Sequence, residues 1–267
     1  KEFCLLSLDS QIRVGLHEEI RKVKTGKLTG GINMYKIPDG KLLMQRCLEN
    51  LPVSTNVKDC IQNFMVNPKT LIYDKIAFTP QNTPKSTLNY WVEPSAGSSS
   101  KSSPLIVSFI KEVICNGDRN LFNYLRNFLA HMLQKPEEKP GVMIVLIGGQ
   151  GTGKGTFYSL LRKIWPITTL EVSNIDHVTG GFNAALERNY AVCMDEALFS
   201  GQKQAMDRLK SLITEPKITN EQKYEPRRSL VSIHRFFASS NHDHFGNIAI
   251  DDRRFVFCNV SDQYQGN

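Results

Sequence analysis

The 267-residue sequence predicts an α/β fold, and three observations carry that expectation. Val142–Ile147 is an unbroken apolar run of strand length, as a strand covered on both faces requires. A glycine-rich loop comes directly after it and opens a helical stretch, Gly153–Trp165. Tyr190–Met194, Phe236–Ser239 and Arg254–Val260 are further apolar runs, each with polar residues at its C-terminal end. Open parallel sheets bind ligands beyond those ends.

The elements before this core are read in chain order. Residues 1–93 form an N-terminal α+β accessory region. Leu16–Val23 fits a short helix, Met34–Ile37 and Lys41–Met44 fit a hairpin around Pro38-Asp39-Gly40, and Ile72–Phe78 fits a strand ending at Thr79-Pro80. Residues 94–104 (PSAGSSSKSSP) are Ser-rich, almost without apolar residues, and read as a mobile linker. Residues 105–139 form a small helical domain. Leu105, Phe109, Val113 and Ile114 share one helical face; Leu121, Leu125, Phe128, Leu129 and Met132 share another. The two helices join near Asn116-Gly117-Asp118 and stop before Pro136. Residues 140–267 are the α/β core.

Composition sets outer limits. Forty per cent hydrophobic and 22% charged residues suit a globular protein. The net charge of +7 leans toward a polyanionic partner, although solubility alone accounts for it equally well. Cys4, Cys47, Cys60, Cys115, Cys193 and Cys258 show no CxxC pair and no zinc-type spacing. They read as reduced core cysteines in a cytoplasmic protein with no structural metal. Val142–Ile147 is too short to cross a bilayer, so no membrane partner is expected. The start at Lys1, without a signal peptide, suggests part of a longer polypeptide.

Gly148-Gly149-Gln150-Gly151-Thr152-Gly153-Lys154-Gly155-Thr156 lies between a strand and a helix, the context in which GxxxxGK cradles phosphates. Its glycines let backbone N–H groups converge on phosphate oxygens, helped by the helix N-terminus. Lys154 would reach the β- and γ-phosphates of ATP. The hydroxyl normally found directly after the lysine is displaced: Gly155 stands there and Thr156 comes next. Either Thr156 serves Mg²⁺, or the metal relies on carboxylates and water.

Met194-Asp195-Glu196 ends the second apolar run. In such a fold this strand is expected beside the glycine-loop strand, with Asp195 in the Mg²⁺ shell and Glu196 polarising water. Asn241 closes the third run, where an amide can donate and accept at once. Asp251-Asp252-Arg253-Arg254-Phe255 offers an arginine pair suited to bridging phosphate oxygens, from a neighbouring subunit if the protein forms a ring, or equally to surface salt bridges with the adjacent aspartates. Ile218–Lys223 and Leu230–Ile233 read as a hairpin around Tyr224-Glu225-Pro226. Lys217, Lys223, Arg227 and Arg228 beside Tyr224 fit contact with single-stranded DNA, or simply a solvated basic hairpin. His242 and His244 flank Asp243 without a visible third ligand and read as loop residues.

With these motifs in order, the chain resembles the superfamily 3 helicases, most of all the C-terminal motor of phage and plasmid primase–helicases of the primase–polymerase type. Asn67-Pro68, Phe78-Thr79-Pro80, Leu88-Asn89-Tyr90-Trp91 and the stretch from Leu129 through Lys135-Pro136-Glu137-Glu138-Lys139-Pro140-Gly141 carry the resemblance beside the strand-end motifs. The resemblance implies an AAA+-like P-loop NTPase core after a small helical domain, assembled as a homo-hexamer. It implies an ATP-dependent DNA helicase in replication, with a primase or polymerase domain upstream. It gives Gly149–Thr156 to nucleotide, Lys154 and Glu196 to catalysis, and Asn241 to sensing. Arg254, ahead of Arg253, would act in trans, and Lys223 and Tyr224 would stand at a DNA-gripping tip. Lys210 matches a further basic ATP contact. The Gly-Lys-Gly-Thr ending also admits a nucleoside-monophosphate kinase, and a DNA-binding scaffold without unwinding activity would use the same motifs.

Overall fold

The computed structural model describes residues 3–8, 11–25, 32–49, 56–97, 99, 103–180, 183–196, 203–220, 228–241 and 252–266. The chain divides into two compact units, Lys1–Val92 and Glu93–Asn267. No helix among the described residues is long and apolar enough to cross a membrane. All six cysteines are free thiols.

In the first unit, β1 (Phe3–Leu8), β2 (Gln11–Leu16), α1 (His17–Lys24), β3 (Tyr35–Lys36), α2 (Ile37–Glu49), α3 (Val57–Val66), β4 (Ile72–Tyr73), β5 (Lys75–Ala77) and β6 (Thr87–Asn89) succeed one another along the chain. One sheet has the order β3-β2-β1-β4, and β5 pairs with β6. Leu5, Val14, Met44 and Ile61 bury its centre. Of the expected hairpin over residues 34–44, Tyr35–Lys36 is strand, paired with β2, and the chain from Ile37 onward is helix instead. Proline is tolerated in a first helical turn, where its missing N–H has no partner to lose, and Asp39 complements the helix dipole there. Gly40 explains the close packing: a Cβ at this position would fall 2.5 Å from Val14 Cγ2. The expected single strand over Ile72–Phe78 is two short strands in different sheets, broken at Asp74.

The second unit begins with α4 (Pro104–Ser108), which passes directly into a π-helical turn, Phe109–Ile114. The shared face expected for Leu105 with Phe109, Val113 and Ile114 is therefore split. A π turn bonds i to i+5 and rotates the residues beyond it; Val113 and Ile114 are buried while Leu105 is 84% exposed. Asp118 caps α5 (Arg119–Gln134) by accepting from the N–H groups of Asn120 and Leu121. Within the Ser-rich segment, Ser95 is tied down, its Oγ donating to the Lys163 carbonyl at 2.7 Å.

Then come β7 (Met143–Ile147), α6 (Lys154–Ile164), β8 (Thr169–Val172), α7 (Asp176–Thr179), β9 (Ala191–Asp195), α8 (Lys203–Thr214), β10 (Lys217–Asn220), β11 (Arg228–Val231), β12 (Arg235–Ser240) and β13 (Phe255–Asn259). Five strands form a parallel sheet in the order β13-β7-β12-β9-β8. One expectation is corrected by this order: β9 does not lie beside β7, because β12 is inserted between them. Parallel strands gain their neighbours through long crossovers, so adjacency is not a local property of the sequence. Met143, Val145, Val192, Met194, Phe236 and Ala238 pack against Met206, Leu209 and Ile213 of α8.

Candidate functional site

The strand order decides which side chains meet. β7, β12 and β9 run parallel and end together, Ser240 opposite Ile147 and Ser239 opposite Asp195. The segments leaving their C-terminal ends therefore face a common edge. The loop after β7 turns sharply, with Gly151 at φ +79° and Gly153 at φ +103°. A side chain at Gly153 would be strained by that φ and would also stand 3.2 Å from Phe109 Cε2. Thr152 is buried and donates its hydroxyl to the Gly149 carbonyl at 2.9 Å, bracing the loop from within.

Lys154 opens α6 and is only 7% exposed. Its Nζ donates to the Gly148 carbonyl (2.5 Å), the Gly149 carbonyl (2.7 Å) and Asn241 Oδ1 (2.8 Å). Burial holds this ammonium below its usual pKa, against the opposing pull of Asp195 and Glu196. The amide of Asn241 works in both directions: while Oδ1 accepts from Lys154, Nδ2 donates to Glu196 Oε1. Glu196 leaves β9 at φ +50°, unusual for a side-chain-bearing residue, with its N–H held by the Ser239 carbonyl at 3.1 Å. Asp195 accepts a hydrogen bond from Ser239 Oγ, and both acidic residues are solvent-exposed.

Lys154, Asn241, Glu196 and Asp195 thus form one continuous cluster beside the loop Gly149–Gly153. Gly155 and Thr156 lie exposed in the first turn of α6. Nothing lies within 4 Å of a Cβ built on Gly155, so the missing hydroxyl there is not a steric matter.

Arg254 is placed elsewhere. Its carbonyl accepts from the N–H of Met143, the first residue of β7, whereas the glycine loop comes after the last. At ~3.3 Å per residue the two ends of β7 stand about 13 Å apart. Arg254 is bound bidentately by Asp252, Nε to Oδ1 at 2.7 Å and Nη2 to Oδ2 at 2.9 Å, and Arg253 is exposed. Lys217 is exposed on β10, which pairs antiparallel with β11. Arg228 lies on β11 opposite Asn220. Lys223, Tyr224, Arg227, His242, Asp243 and His244 lie outside the described residues.

Two contributors went unread in the sequence. Ser239 bonds Asp195 across the ladder; the signal was its place at the end of the third apolar run, two residues before Asn241. Gln265 donates its amide N–H to the Gln150 carbonyl at 2.7 Å and covers one side of the loop. Asp252 was legible: its contact with Arg254 is the salt bridge to an adjacent aspartate that the sequence offers as the alternative for the arginine pair.

Fold and site together define a mixed α/β unit with a parallel sheet whose strand ends gather a lysine, an amide and two carboxylates beside a glycine loop. The "DNA Primase-polymerase" of Nitratiruptor phage NrS-1 is 30% identical to this chain over 168 residues, covering 57% of this chain and 23% of the phage protein. An A-form apo structure of the NrS-1 C-terminal region superposes with a TM-score of 0.72 at 18% identity, covering 97% of this chain and 59% of that one. A second apo structure of the same region gives 0.70 at 19% identity, covering 99% and 60%. At these identities the structural likeness is one of fold. Residues 146–254 also match a family described as of unknown function, DUF5906. The resemblance to phage proteins of the primase–polymerase type is borne out by these matches. The chain spans about a quarter of the length of the phage protein and about three-fifths of the solved C-terminal regions.

Proposed function

We propose that the chain is the ATP-hydrolysing motor of a replicative DNA helicase, an AAA+-like P-loop unit working as a ring within a larger primase–helicase. The observation that carries this reading is the Lys154–Asn241–Glu196 chain of hydrogen bonds at the ends of three adjacent parallel strands. It links a phosphate-binding cation, a sensing amide and a base. The inserted β12 supports the AAA+-like assignment, because it sets Asn241 between the other two.

The residues present fit a nucleotide with Mg²⁺. Among the described residues no three His, Cys, Asp or Glu side chains cluster to cage a metal. An exposed Asp195 and an exposed Thr156 instead suit an ion that keeps its waters and phosphate oxygens. Bound ATP–Mg²⁺ supplies the transferable phosphoryl group and neutralises its developing charge. The chain's own part is positional. Loop N–H groups receive the phosphates, and Lys154 exchanges the Gly148 and Gly149 carbonyls for phosphate oxygens. Glu196 takes up a proton from the attacking water, and Asn241 relays whether Lys154 is engaged. Arg254 sits at the far end of the sheet from its own loop, which supports its acting on a neighbouring copy. The β10–β11 pair, with Lys217, Arg228 and the residues between, is the DNA-contacting element of this reading.

The test is ATP hydrolysis with and without single-stranded DNA. Wild type should be stimulated by DNA, and Glu196→Gln should lose roughly a hundredfold or more in kcat. Equal turnover by the two proteins removes Glu196 as the base. Phosphoryl transfer to AMP or TMP in the absence of DNA would instead mark a monophosphate kinase.

A further inference from the structure

Lys210 and Arg254 converge on a single carboxylate. Asp252 takes Arg254 Nε and Nη2 at 2.7 and 2.9 Å and also accepts the Arg254 backbone N–H at 3.2 Å. Lys210 Nζ, from α8, stands 3.4 Å from Asp252 Oδ2. The Asp252 side chain is 7% exposed, while that of Arg254 is 34% exposed. The acid is therefore inside and the arginine reaches outward. The Arg254 hydrogen bonds hold the Asp252 carboxyl at a pKa of about 2, so it stays ionised at any working pH. A guanidinium carries five N–H donors in a fixed fork. The two side-chain bonds to Asp252 fix its plane and leave the remainder for another acceptor. Asp207, also on α8, adds its charge nearby.

An isolated surface ion pair contributes little to stability, and two cations brought together repel. Here one buried carboxylate holds both, at the sheet edge remote from the chain's own glycine loop. We propose that Asp252 is a positioning residue that presents Arg254 and Lys210 as one two-cation unit to the phosphates of a nucleotide held by a second copy of the chain. This rests on the reading of Arg254 as a trans-acting cation.

The experiment uses the full-length chain with ATP, Mg²⁺ and single-stranded DNA. Arg254→Ala should lower kcat roughly a thousandfold, the scale of a removed arginine finger. Asp252→Asn should lower kcat by roughly 10- to 100-fold, as a misplaced catalytic group does. Its KM for ATP should stay within about twofold of wild type, because its own loop is untouched. Asp252→Glu should recover most of the loss. Mixing Asp252→Asn with Glu196→Gln subunits supplies intact clamps to competent loops, so the mixture should exceed the summed activity of its parts. A merely structural defect would not be repaired that way. If Arg254→Ala is impaired while Asp252→Asn turns over like wild type, or if mixing restores nothing, the clamp has no positioning role. If Arg254→Ala is unaffected, the trans reading of Arg254 itself fails and takes the proposal with it.

Discussion

Acid should weaken the second unit through His234. The ring is 2% exposed, with Nε2 at 2.8 Å from the Leu186 carbonyl and Nδ1 at 3.0 Å from Ser232 Oγ. A carbonyl only accepts, so Nε2 carries the proton and Nδ1 accepts from the Ser232 hydroxyl. That hydroxyl in turn accepts from the Lys139 ammonium. Protonation would set a second N–H against this chain, beside two cations. Burial above all, with Lys139 and Arg235 adding to it and the Leu186 carbonyl opposing, brings the pKa from 6.5 down to about 4. The unfolded chain takes up the proton more readily than the folded one. The stability held by neutral His234 is therefore complete above about pH 6.5 and is lost as pH falls toward 4. At 1.36 kcal/mol per unit the gap amounts to about 3 kcal/mol. Urea unfolding of a Trp91→Phe protein, monitored by fluorescence of the buried Trp165, reads this unit. Between pH 6 and pH 5 the histidine protein should lose about 1 kcal/mol more than the same protein carrying His234→Gln. Parallel stability profiles for the two proteins would refute the assignment.

Three further outcomes are expected. Gly153→Ala must hold φ +103° and meet Phe109, a strain of roughly 1–3 kcal/mol, so titration with a fluorescent ATP analogue should show roughly 5- to 150-fold weaker binding; an unchanged Kd would remove the argument. If the Thr156 hydroxyl serves Mg²⁺, Thr156→Ala should raise the half-saturating Mg²⁺ concentration for hydrolysis, and adding Gly155→Ser should restore it, since that position is open. A Thr156→Ala profile superimposable on wild type would leave the metal to Asp195 and water. Lys217→Ala should weaken single-stranded DNA binding alike for all sequences and lower the salt-dependence slope by about one; an unaltered slope would take Lys217 off the DNA path.

How much of this was legible depends on how local each cause is. A strand buried on both faces must be apolar throughout, and Val142–Ile147 overshoots β7 by one residue. The glycine loop was equally plain, because backbone at φ +79° and +103° leaves little choice of residue. Residues 37–44 were misread because Pro-Asp-Gly serves both a turn and a first helical turn. The two are separated by the contact of Gly40 with Val14, more than twenty residues away in the chain. The neighbour order of β7, β12 and β9 is likewise set by crossovers. Ser239 could be matched to Asp195 only once β12 was known to lie against β9. Asp251 and Asp252 are equivalent as sequence; the bidentate contact with Arg254 distinguishes Asp252.

The stretch Leu129–Gly141, so prominent in the sequence, stands outside the strand-end cluster, and its position explains what it does. Arg235 opens β12 fully buried, donating to the carbonyls of Lys135 and Glu138 and lying 5.1 Å over the Tyr190 ring. Lys139 reaches the Leu212 and Glu215 carbonyls at the end of α8, at 2.6 and 2.8 Å, and bonds Ser232 just after β11. One segment therefore pins the start of β12, the end of α8 and the root of the β10–β11 pair. Asn241 stands at the other end of β12. All six residues of β12 are buried and its register is fixed by pairing on both sides. α8 carries Lys210 toward Asp252. In the proposed motor, the sensing amide, the DNA-facing pair and the trans-acting cations are then three ends of elements pinned at one place. The mechanical demand on residues 129–141 is to keep them in fixed relation.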